Sequence, residues 1–232
     1  MINSTNIINN LSFIKKQISS AVKKTKRNIN DITIVAITKS FSSKIWNIAI
    51  NNNLRVLGES KIQEAEVKIN LNHKYNIELH FIGHLQTNKV QKAIKYFDII
   101  QTVDSIKLLD KINLQAIRAN KIQTIYLQIN TANDPNKFGF SSKTILEAAE
   151  KATQYSNICL SGLMTIPPNN LSDYQLNTIY SKTRKIKNKI NNSINDNCNN
   201  LSMGMSSDYV IAIKHGATHI RLGTPIFGAR PN

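Results

Sequence analysis

An α/β fold is predicted, a single (β/α)8 barrel of the TIM type with an extra N-terminal helix before the first strand. From about residue 31 onward, apolar runs of strand length alternate with longer amphipathic segments, a pattern typical of parallel βα units. About eight such units follow one another, which is the number that closes a barrel. The length of 232 residues suits one domain of this kind, so we expect one domain over residues 1–232.

The extra helix is predicted over residues 5–27. Its apolar side chains recur at helical spacing and form one stripe, made of Ile7, Leu11, Ile14, Ile18 and Val22. A single apolar stripe on a helix needs an apolar surface to cover it. We therefore expect this helix to pack against the barrel.

Eight strands are predicted from short apolar runs that end at polar or turn-forming residues. They cover residues 32–38, 54–57, 78–82, 97–101, 124–130, 158–164, 200–202 and 219–222. Helices are predicted between most of them, and several begin at residue types that commonly cap helices. The predicted caps are Ser43, Ser60, Thr87, Asp104, Ser142 and Ser207.

Composition argues against several classes of partner. The formal charge of +16 favours anionic ligands, but the basic residues lie in separate helical clusters without a nucleic-acid recognition pattern, so we expect no nucleic-acid partner. No apolar run approaches the roughly 20 residues that cross a bilayer, so we expect no membrane partner. Residues 1–10 lack the features of a secretion signal. We expect a cytoplasmic protein, and a monomer.

Neither a metal site nor a disulfide framework is indicated. Cys159 and Cys198 stand alone, without a second thiol or a histidine at metal-ligand spacing. His80 and His84 are four residues apart, but the strand-like segment 79–82 argues against one helical face that presents both imidazoles. We therefore predict no bound metal.

Lys39 directly follows the first predicted strand, at the end of the barrel where active sites are built. A lysine that is partly desolvated and close to other cations loses its proton more easily, and its amine can then attack an aldehyde to form an imine. The alternative is a strand-end lysine that extends to water. Position alone leaves both interpretations open.

Two segments near the end of the chain offer donors for an anion. Residues 201–208 end a strand and open a helix, so backbone amides and hydroxyls could face the same end as Lys39, although an ordinary helix cap is the alternative. In the following segment, residues 221–228, Gly223 and Thr224 could bring backbone amides against a phosphate. TIM barrels often bind phosphate in the loops after the seventh and eighth strands.

A series of short motifs extends over nearly the whole chain. In order, they are VAITK at 35–39, GE at 58–59 with QE at 63–64, HFIGHLQTNK at 80–89, QIN at 128–130, Lys137 with Gly139, GLMTIP at 162–167, LSMGMS at 201–206 and RLGTPIFGAR at 221–230. Each motif is weak alone, but the ordered combination is highly specific. Together they resemble the pyridoxal-phosphate homeostasis protein family.

The resemblance implies a barrel similar to the N-terminal domain of alanine racemases, with pyridoxal 5'-phosphate (PLP) as cofactor. Lys39 matches the lysine that forms a Schiff base with PLP, and Arg221 matches the arginine that faces the pyridine nitrogen. The matches to phosphate-binding positions are Ser206, Gly223 and Thr224. Further cofactor-binding residues are expected within the same motifs, namely Met203, Gly204 and Asn130.

Two features bear on this resemblance. An arginine at the ring nitrogen disfavours ring protonation and so weakens the ring as an electron sink; alternatively, Arg221 is a structural strand-end cation. The chain also departs from the family pattern, because Ser60 stands where the family usually has asparagine and Lys61 where it often has an aromatic residue.

The implied function is PLP binding that buffers or delivers the cofactor, with PLP-dependent apo-enzymes as recipients, in vitamin B6 and amino-acid homeostasis. No robust catalysis of its own is expected. The alternative is a PLP-dependent amino-acid racemase with Lys39 as one base. A racemase of the resembling type takes a second acid/base from an additional domain, and 232 residues leave no length for one.

Overall fold

Eight parallel strands close into a barrel in a computed structural model that describes residues 4–72 and 76–229. The strands follow one another around the barrel in chain order, and β8 pairs with β1 to close it. They are β1 (Thr33–Ile37), β2 (Val56–Glu59), β3 (Glu78–Phe81), β4 (Ile99–Val103), β5 (Gln123–Gln128), β6 (Ile158–Met164), β7 (Asn200–Ser202) and β8 (His219–Leu222). The predicted (β/α)8 barrel is confirmed.

Nine α-helices lie within the described part of the chain, and most of them connect one strand to the next. They are α1 (Ser4–Lys23), α2 (Lys44–Asn51), α3 (Ile62–Asn72), α4 (Val90–Tyr96), α5 (Ile106–Arg118), α6 (Thr144–Thr153), α7 (Asp173–Ser193), α8 (Tyr209–Lys214) and α9 (Thr224–Phe227). No helix in residues 4–72 and 76–229 is long and apolar enough to cross a membrane. The extent of the domain, residues 1–232, stays a prediction.

Helix α1 is the predicted extra helix. All five residues of its apolar stripe are buried, and the helix packs against α8 and α9. The side-chain amide of Asn10 also donates to the carbonyl oxygen of Ile226 at 3.0 Å. The helix ends at Lys23 rather than at the predicted residue 27, because the amides of Thr25 and Arg27 turn back to the carbonyl of Val22.

Strands β6, β7 and β8 have the predicted bounds, whereas β2 and β4 begin two residues later than predicted. Leu54 and Phe97 cause the difference. Their side chains are buried, but their amides donate to Ala49 at the end of α2 and to Ala93 at the end of α4. Apolar character therefore correctly indicated burial at these positions, while the backbone hydrogen bonds belong to the preceding helices.

Ser43 is the N-cap residue of α2 as predicted, but several other predicted helix caps are displaced, including Ser142, since Lys143 precedes α6. Ser105 caps α5, because its hydroxyl accepts from the amide of Leu108 at 3.3 Å. The predicted cap, Asp104, instead pairs with the ring of His84 at 3.1 Å. Asp208 rather than Ser207 precedes α8. Adjacent polar residues can all cap a helix, so local sequence does not decide between them.

Candidate functional site

Lys39 lies at the mouth of the barrel, the face formed by the residues that directly follow β1 to β8. Strand β1 ends at Ile37, Thr38 is completely buried, and Lys39 is half-buried. Because all strands are parallel, their carboxyl ends meet at this face. The position of Lys39 therefore agrees with the predicted site.

Helix α3 holds the backbone on both sides of Lys39. The ammonium group of Lys68 donates to the carbonyl oxygen of Thr38 at 2.7 Å, and the amide of Ser40 donates to the carboxylate of Glu64 at 2.9 Å. Ser40 has a φ of +66°, so the chain turns immediately after Lys39. Glu64 and Lys68 are four residues apart and share one face of α3. The direction in which Lys39 leaves the strand is thus set by a neighbouring helix.

Burial raises the pKa of Glu64, but the hydrogen bond from the Ser40 amide and the nearby ammonium group of Lys61 outweigh it, so the pKa lies below its ordinary value. The carboxylate of Glu64 therefore stays ionised near neutral pH. An ionised carboxylate is a stronger acceptor for the Ser40 amide than a neutral group.

Glu59 and Lys68 form a buried ion pair beneath Lys39, with 2.6 Å between Nζ of Lys68 and Oε1 of Glu59. Both side chains are almost completely buried. The same oxygen accepts from the hydroxyl of Thr38 at 2.6 Å and from the indole of Trp46 at 3.3 Å. Oε2 of Glu59 has no hydrogen-bond partner among the described residues. The pair ties β1, β2, α2 and α3 together under the mouth.

The loop after β8 lies beside the end of β1. A Cβ atom at Gly223 would stand 3.3 Å from the carbonyl oxygen of Ile37 and 3.4 Å from its Cβ atom. This close approach brings Gly223 and Thr224 next to the strand that carries Lys39. The side chain of Thr224 is exposed, and its amide donates to no other described residue. A donor at this position is available to a ligand.

The loop after β7 contains Met203, Gly204 and Ser206. Met203 is completely buried, whereas Ser206 is exposed and its amide donates to no other described residue. Gly204 has a φ of +94°, and a Cβ atom there would stand 2.6 Å from Cβ of Ala212, so only glycine fits. The side chain of Asp208 accepts from the amide of Met205 at 2.5 Å and holds the turn.

Arg221 joins these two loops from inside the barrel. Its amide donates to the carbonyl oxygen of Gly204 at 3.0 Å. Its buried guanidinium donates through Nη1 to the hydroxyl of Ser202 at 2.8 Å and through Nη2 to the carbonyl oxygen of Thr165 at 2.9 Å. Burial lowers the pKa of Arg221, and the nearby Tyr180 and Asp208 act in the opposite direction.

Asn130 lies in the loop after β5, where its side chain is used within that loop. Its Nδ2 donates to the carbonyl oxygens of Asp134 at 2.7 Å and Lys137 at 3.1 Å. Its Oδ1 accepts from the amide of Asp134 at 3.1 Å. Both amide hydrogens are therefore committed to the loop, and cofactor contact by Asn130 stays a prediction without support from this geometry.

The structure thus gathers Lys39, Gly223 and Thr224 at one side of the mouth, and connects the Ser206 loop to them through Arg221. Residue 230 of the last motif lies outside the described residues. The sequence interpretation missed Lys68, the group that holds the strand next to Lys39. One signal was present, because Lys68 continues the spacing of Ile62 and Ala65 on the buried side of α3.

Within the described ranges, no group of three or more histidine, cysteine, aspartate or glutamate residues could hold a metal ion. His80 is buried and bonds to Gln101 and Glu78. His84 stacks on Phe138 with ring centroids 3.8 Å apart. The two histidines thus have separate surroundings.

Comparison with known proteins identifies relatives over the whole chain. A family model described as the alanine racemase N-terminal domain matches residues 2–231. The pyridoxal phosphate homeostasis protein of Haemophilus influenzae is 33% identical over 97% of this chain and 96% of its own. The protein of the same name from a Synechocystis species is 36% identical over 86% of this chain and 92% of its own.

Solved structures have the same fold. PipY of Synechococcus elongatus with PLP bound has a TM-score of 0.80 and 27% identity, and the match covers 91% of this chain and 100% of that chain. A protein from Bifidobacterium adolescentis has a TM-score of 0.91 and 28% identity over 98% of both chains. Alanine racemase of Clostridium difficile has a TM-score of 0.75 but 17% identity, and the match covers 58% of that chain, so it supports the fold alone.

Proposed function

The chain belongs to the alanine racemase N-terminal domain family, and from that premise we propose that it binds PLP at the mouth of its barrel and acts in PLP homeostasis. Relatives that carry the homeostasis name match nearly the full chain. The observation that carries the proposal is the close approach of Gly223 to the end of β1, because it brings a phosphate-type loop beside Lys39. The related PipY has been solved with PLP bound.

The residues at the mouth suit the chemistry of PLP. The amides of Ser206 and Thr224, which bond to no other described residue, and their exposed hydroxyls are donors of the kind that bind phosphate. Gly204 and Gly223 remove side chains from the same two loops and let the backbone come close. We assign the phosphate to these four residues, with Met203 as the buried support of the loop after β7.

We assign the covalent attachment of PLP to Lys39. PLP supplies an aldehyde with which a lysine amine condenses. Lys39 is half-buried, and its two neighbours are held by α3, so its amine is presented from a rigid strand end. Lys68 is the competing buried lysine, but its ammonium group is bound by Glu59 at 2.6 Å. Arg221 is assigned to the pyridine nitrogen, where its positive charge disfavours ring protonation.

We propose further that the protein buffers PLP or delivers it to PLP-dependent apo-enzymes, without robust catalysis of its own. Racemisation needs acid/base groups on both faces of the substrate carbon, and Lys39 serves one face. The charge of Arg221 also weakens the ring as an electron sink. With L-alanine as substrate, turnover in the range of roughly 1 to 1000 per second would favour the racemase alternative. The cytoplasmic location, the monomeric state and the absence of nucleic-acid partners stay predictions.

The test of the proposal is to load the protein with PLP, reduce it with borohydride and map the modified peptide. We expect the adduct on Lys39, and we expect Lys39→Arg to abolish it. Lys61→Arg is the matched control, since Lys61 is an exposed lysine close in sequence to the Glu59 pair. An adduct confined to Lys89 or Lys137 would refute the assignment.

Affinity tests the phosphate loops separately. Replacement of Ser206 and Thr224 by alanine removes two hydrogen bonds to a charged phosphate, each worth about 1.5 to 3 kcal/mol, so affinity for PLP should fall roughly tenfold or more for each. Both side chains are exposed, so the melting temperature of the PLP-free protein should stay unchanged. Unchanged affinity in the double variant would place the phosphate elsewhere.

A further inference from the structure

A chain of side-chain hydrogen bonds starts at Arg221 and crosses the interior of the barrel. Nη1 of Arg221 donates to Oγ of Ser202 at 2.8 Å. Oγ of Ser202 in turn donates to Oε1 of Gln101 at 2.6 Å. Ser202 and Gln101 are both completely buried. The guanidinium on β8 is therefore linked through β7 to β4.

The chain continues from Gln101 to the rim of the barrel at the amino end of β3. Nε2 of Gln101 and Nδ1 of His80 are 2.5 Å apart, and Nε2 of His80 and Oε1 of Glu78 are 2.6 Å apart. His80 is completely buried, whereas the side chain of Glu78 is 47% exposed. This series of hydrogen bonds thus reaches solvent at Glu78, and its other end is Arg221, the residue assigned to the cofactor.

The orientation of the Gln101 amide gives one direction of donation along this series of hydrogen bonds. Arginine only donates and an ionised carboxylate only accepts. The hydroxyl of Ser202 accepts from Arg221 and donates to Oε1 of Gln101, so the amide nitrogen of Gln101 faces Nδ1 of His80. Nδ1 must then accept, so His80 is neutral and carries its hydrogen on Nε2, which donates to Glu78. The hydrogen bond from His80 lowers the pKa of Glu78 against the opposing effect of burial, in line with an ionised end.

The surroundings of His80 are consistent with a neutral ring. The ring of His219 lies 5.8 Å away. Burial is the main cause that lowers the pKa of His219 to about 4. The hydroxyl of Tyr126 contacts Nε2 of His219 at 3.4 Å. A positive charge on the completely buried ring of His80 would be poorly solvated.

We propose that Gln101 and His80 are positioning residues for Arg221, an inference that rests on the proposed contact of Arg221 with the pyridine nitrogen of PLP. A serine hydroxyl can rotate freely. Because the hydroxyl of Ser202 donates a hydrogen bond to Gln101, a lone pair of its oxygen points toward Nη1 of Arg221. His80 determines the orientation of the Gln101 amide in the same way. The position of the hydrogen on the His80 ring, next to Glu78, therefore determines how the guanidinium of Arg221 is oriented.

Two substitutions separate this role from general support of the fold. Gln101→Met has a similar volume but cannot bond to Ser202 or His80. Ser202→Ala removes the contact with Arg221 and leaves Gln101 and His80 bonded. Tyr126→Phe is the matched control, because it removes another interior hydroxyl that is not part of the chain.

The first measurement uses the PLP-free protein. Nitrogen-15 NMR should find His80 with hydrogen on Nε2 in the parent, in Ser202→Ala and in Tyr126→Phe. Gln101→Glu accepts from Ser202 but cannot donate to Nδ1, so His80 should become doubly protonated in this variant. Hydrogen on Nδ1 of His80 in the parent would overturn the inference without any bearing on PLP binding.

The second measurement uses the PLP-loaded protein and follows the visible absorption band with pH. A displaced guanidinium favours protonation of the cofactor, so the midpoint should rise by about one pH unit in Gln101→Met and in Ser202→Ala. In Gln101→Glu the midpoint should lie closer to the parent value, because the glutamate still accepts from Ser202. Tyr126→Phe should leave the midpoint unchanged. Equal midpoints in the parent, Gln101→Met and Ser202→Ala would overturn the positioning role, whereas a parent that binds no PLP would refute the proposed function instead.

Discussion

Lys68 and Arg221 are the two buried lysine or arginine side chains among the residues that the structure describes, and the protein surrounds them differently. Lys68 contacts a carboxylate directly, with 2.6 Å to Glu59. The two acceptors that contact Arg221 are uncharged, the hydroxyl of Ser202 and the carbonyl oxygen of Thr165. The charge of Lys68 is therefore neutralised at contact distance, and that of Arg221 is not.

This difference separates a structural cation from a functional one. A buried charge without a contacting counter-ion destabilises the fold, so it is retained where a ligand uses it. The pair of Lys68 and Glu59 holds the strand next to Lys39, whereas Arg221 is the cation that we propose to face the cofactor.

The largest effect is expected when Lys68 loses its pair. Lys68→Met leaves the buried carboxylate of Glu59 without a cation, so the free energy of unfolding should fall by about 3 to 5 kcal/mol. Adding Glu59→Gln removes the unpaired negative charge but keeps an acceptor for the side chains of Thr38 and Trp46. Urea unfolding should therefore show that the double variant regains most of the loss. If the double variant were no more stable than Lys68→Met, the cost would come from packing and not from charge.

The next effect concerns His219, which shares the interior with Arg221. Burial lowers the pKa of His219 from its ordinary 6.5 to about 4, so the unfolded chain takes up this proton before the folded one does. The contribution to stability is complete above pH 6.5 and is lost as the pH falls toward 4, by about 3 kcal/mol. His219→Gln should lose less stability than the parent over this interval. Parallel stability curves for the two proteins would contradict the prediction.

The smallest effect on stability is expected for Arg221. Arg221→Met removes two hydrogen bonds from a charged group, each worth about 1.5 to 3 kcal/mol, but it also removes a buried charge whose desolvation costs a similar free energy. The net change should stay within about 1 kcal/mol, and the pKa of His219 should rise, because Arg221 is one of the charges that lower it. Urea unfolding and NMR titration measure the two quantities. A loss as large as that of Lys68→Met would make Arg221 the structural strand-end cation.

Much of this molecule was predictable from local pattern. The barrel, the extra helix, and the bounds of β6, β7 and β8 agree with the prediction. The position of Lys39 at a strand end agrees as well. The errors at Leu54 and Phe97 have one cause, because apolar side chains report burial and do not report which element bonds their amides. Cofactor contact by Asn130 stays a prediction, and its side chain bonds within its own loop.

Alternating periodicities of two and 3.6 residues are local properties, so the chain alone specifies which elements form and in what order. Side-chain contacts across the barrel join residues that are far apart in the sequence. Ser202 bonds to Gln101 over 101 positions and Arg221 to Thr165 over 56 positions. Such contacts depend on barrel closure, on strand register and on which face of each strand points inward. For that reason, the ion pair of Lys68 with Glu59 and the hydrogen bonds that link Arg221 to Gln101 through Ser202 form only in the folded barrel. In the sequence, both Lys68 and Arg221 appear as ordinary basic residues.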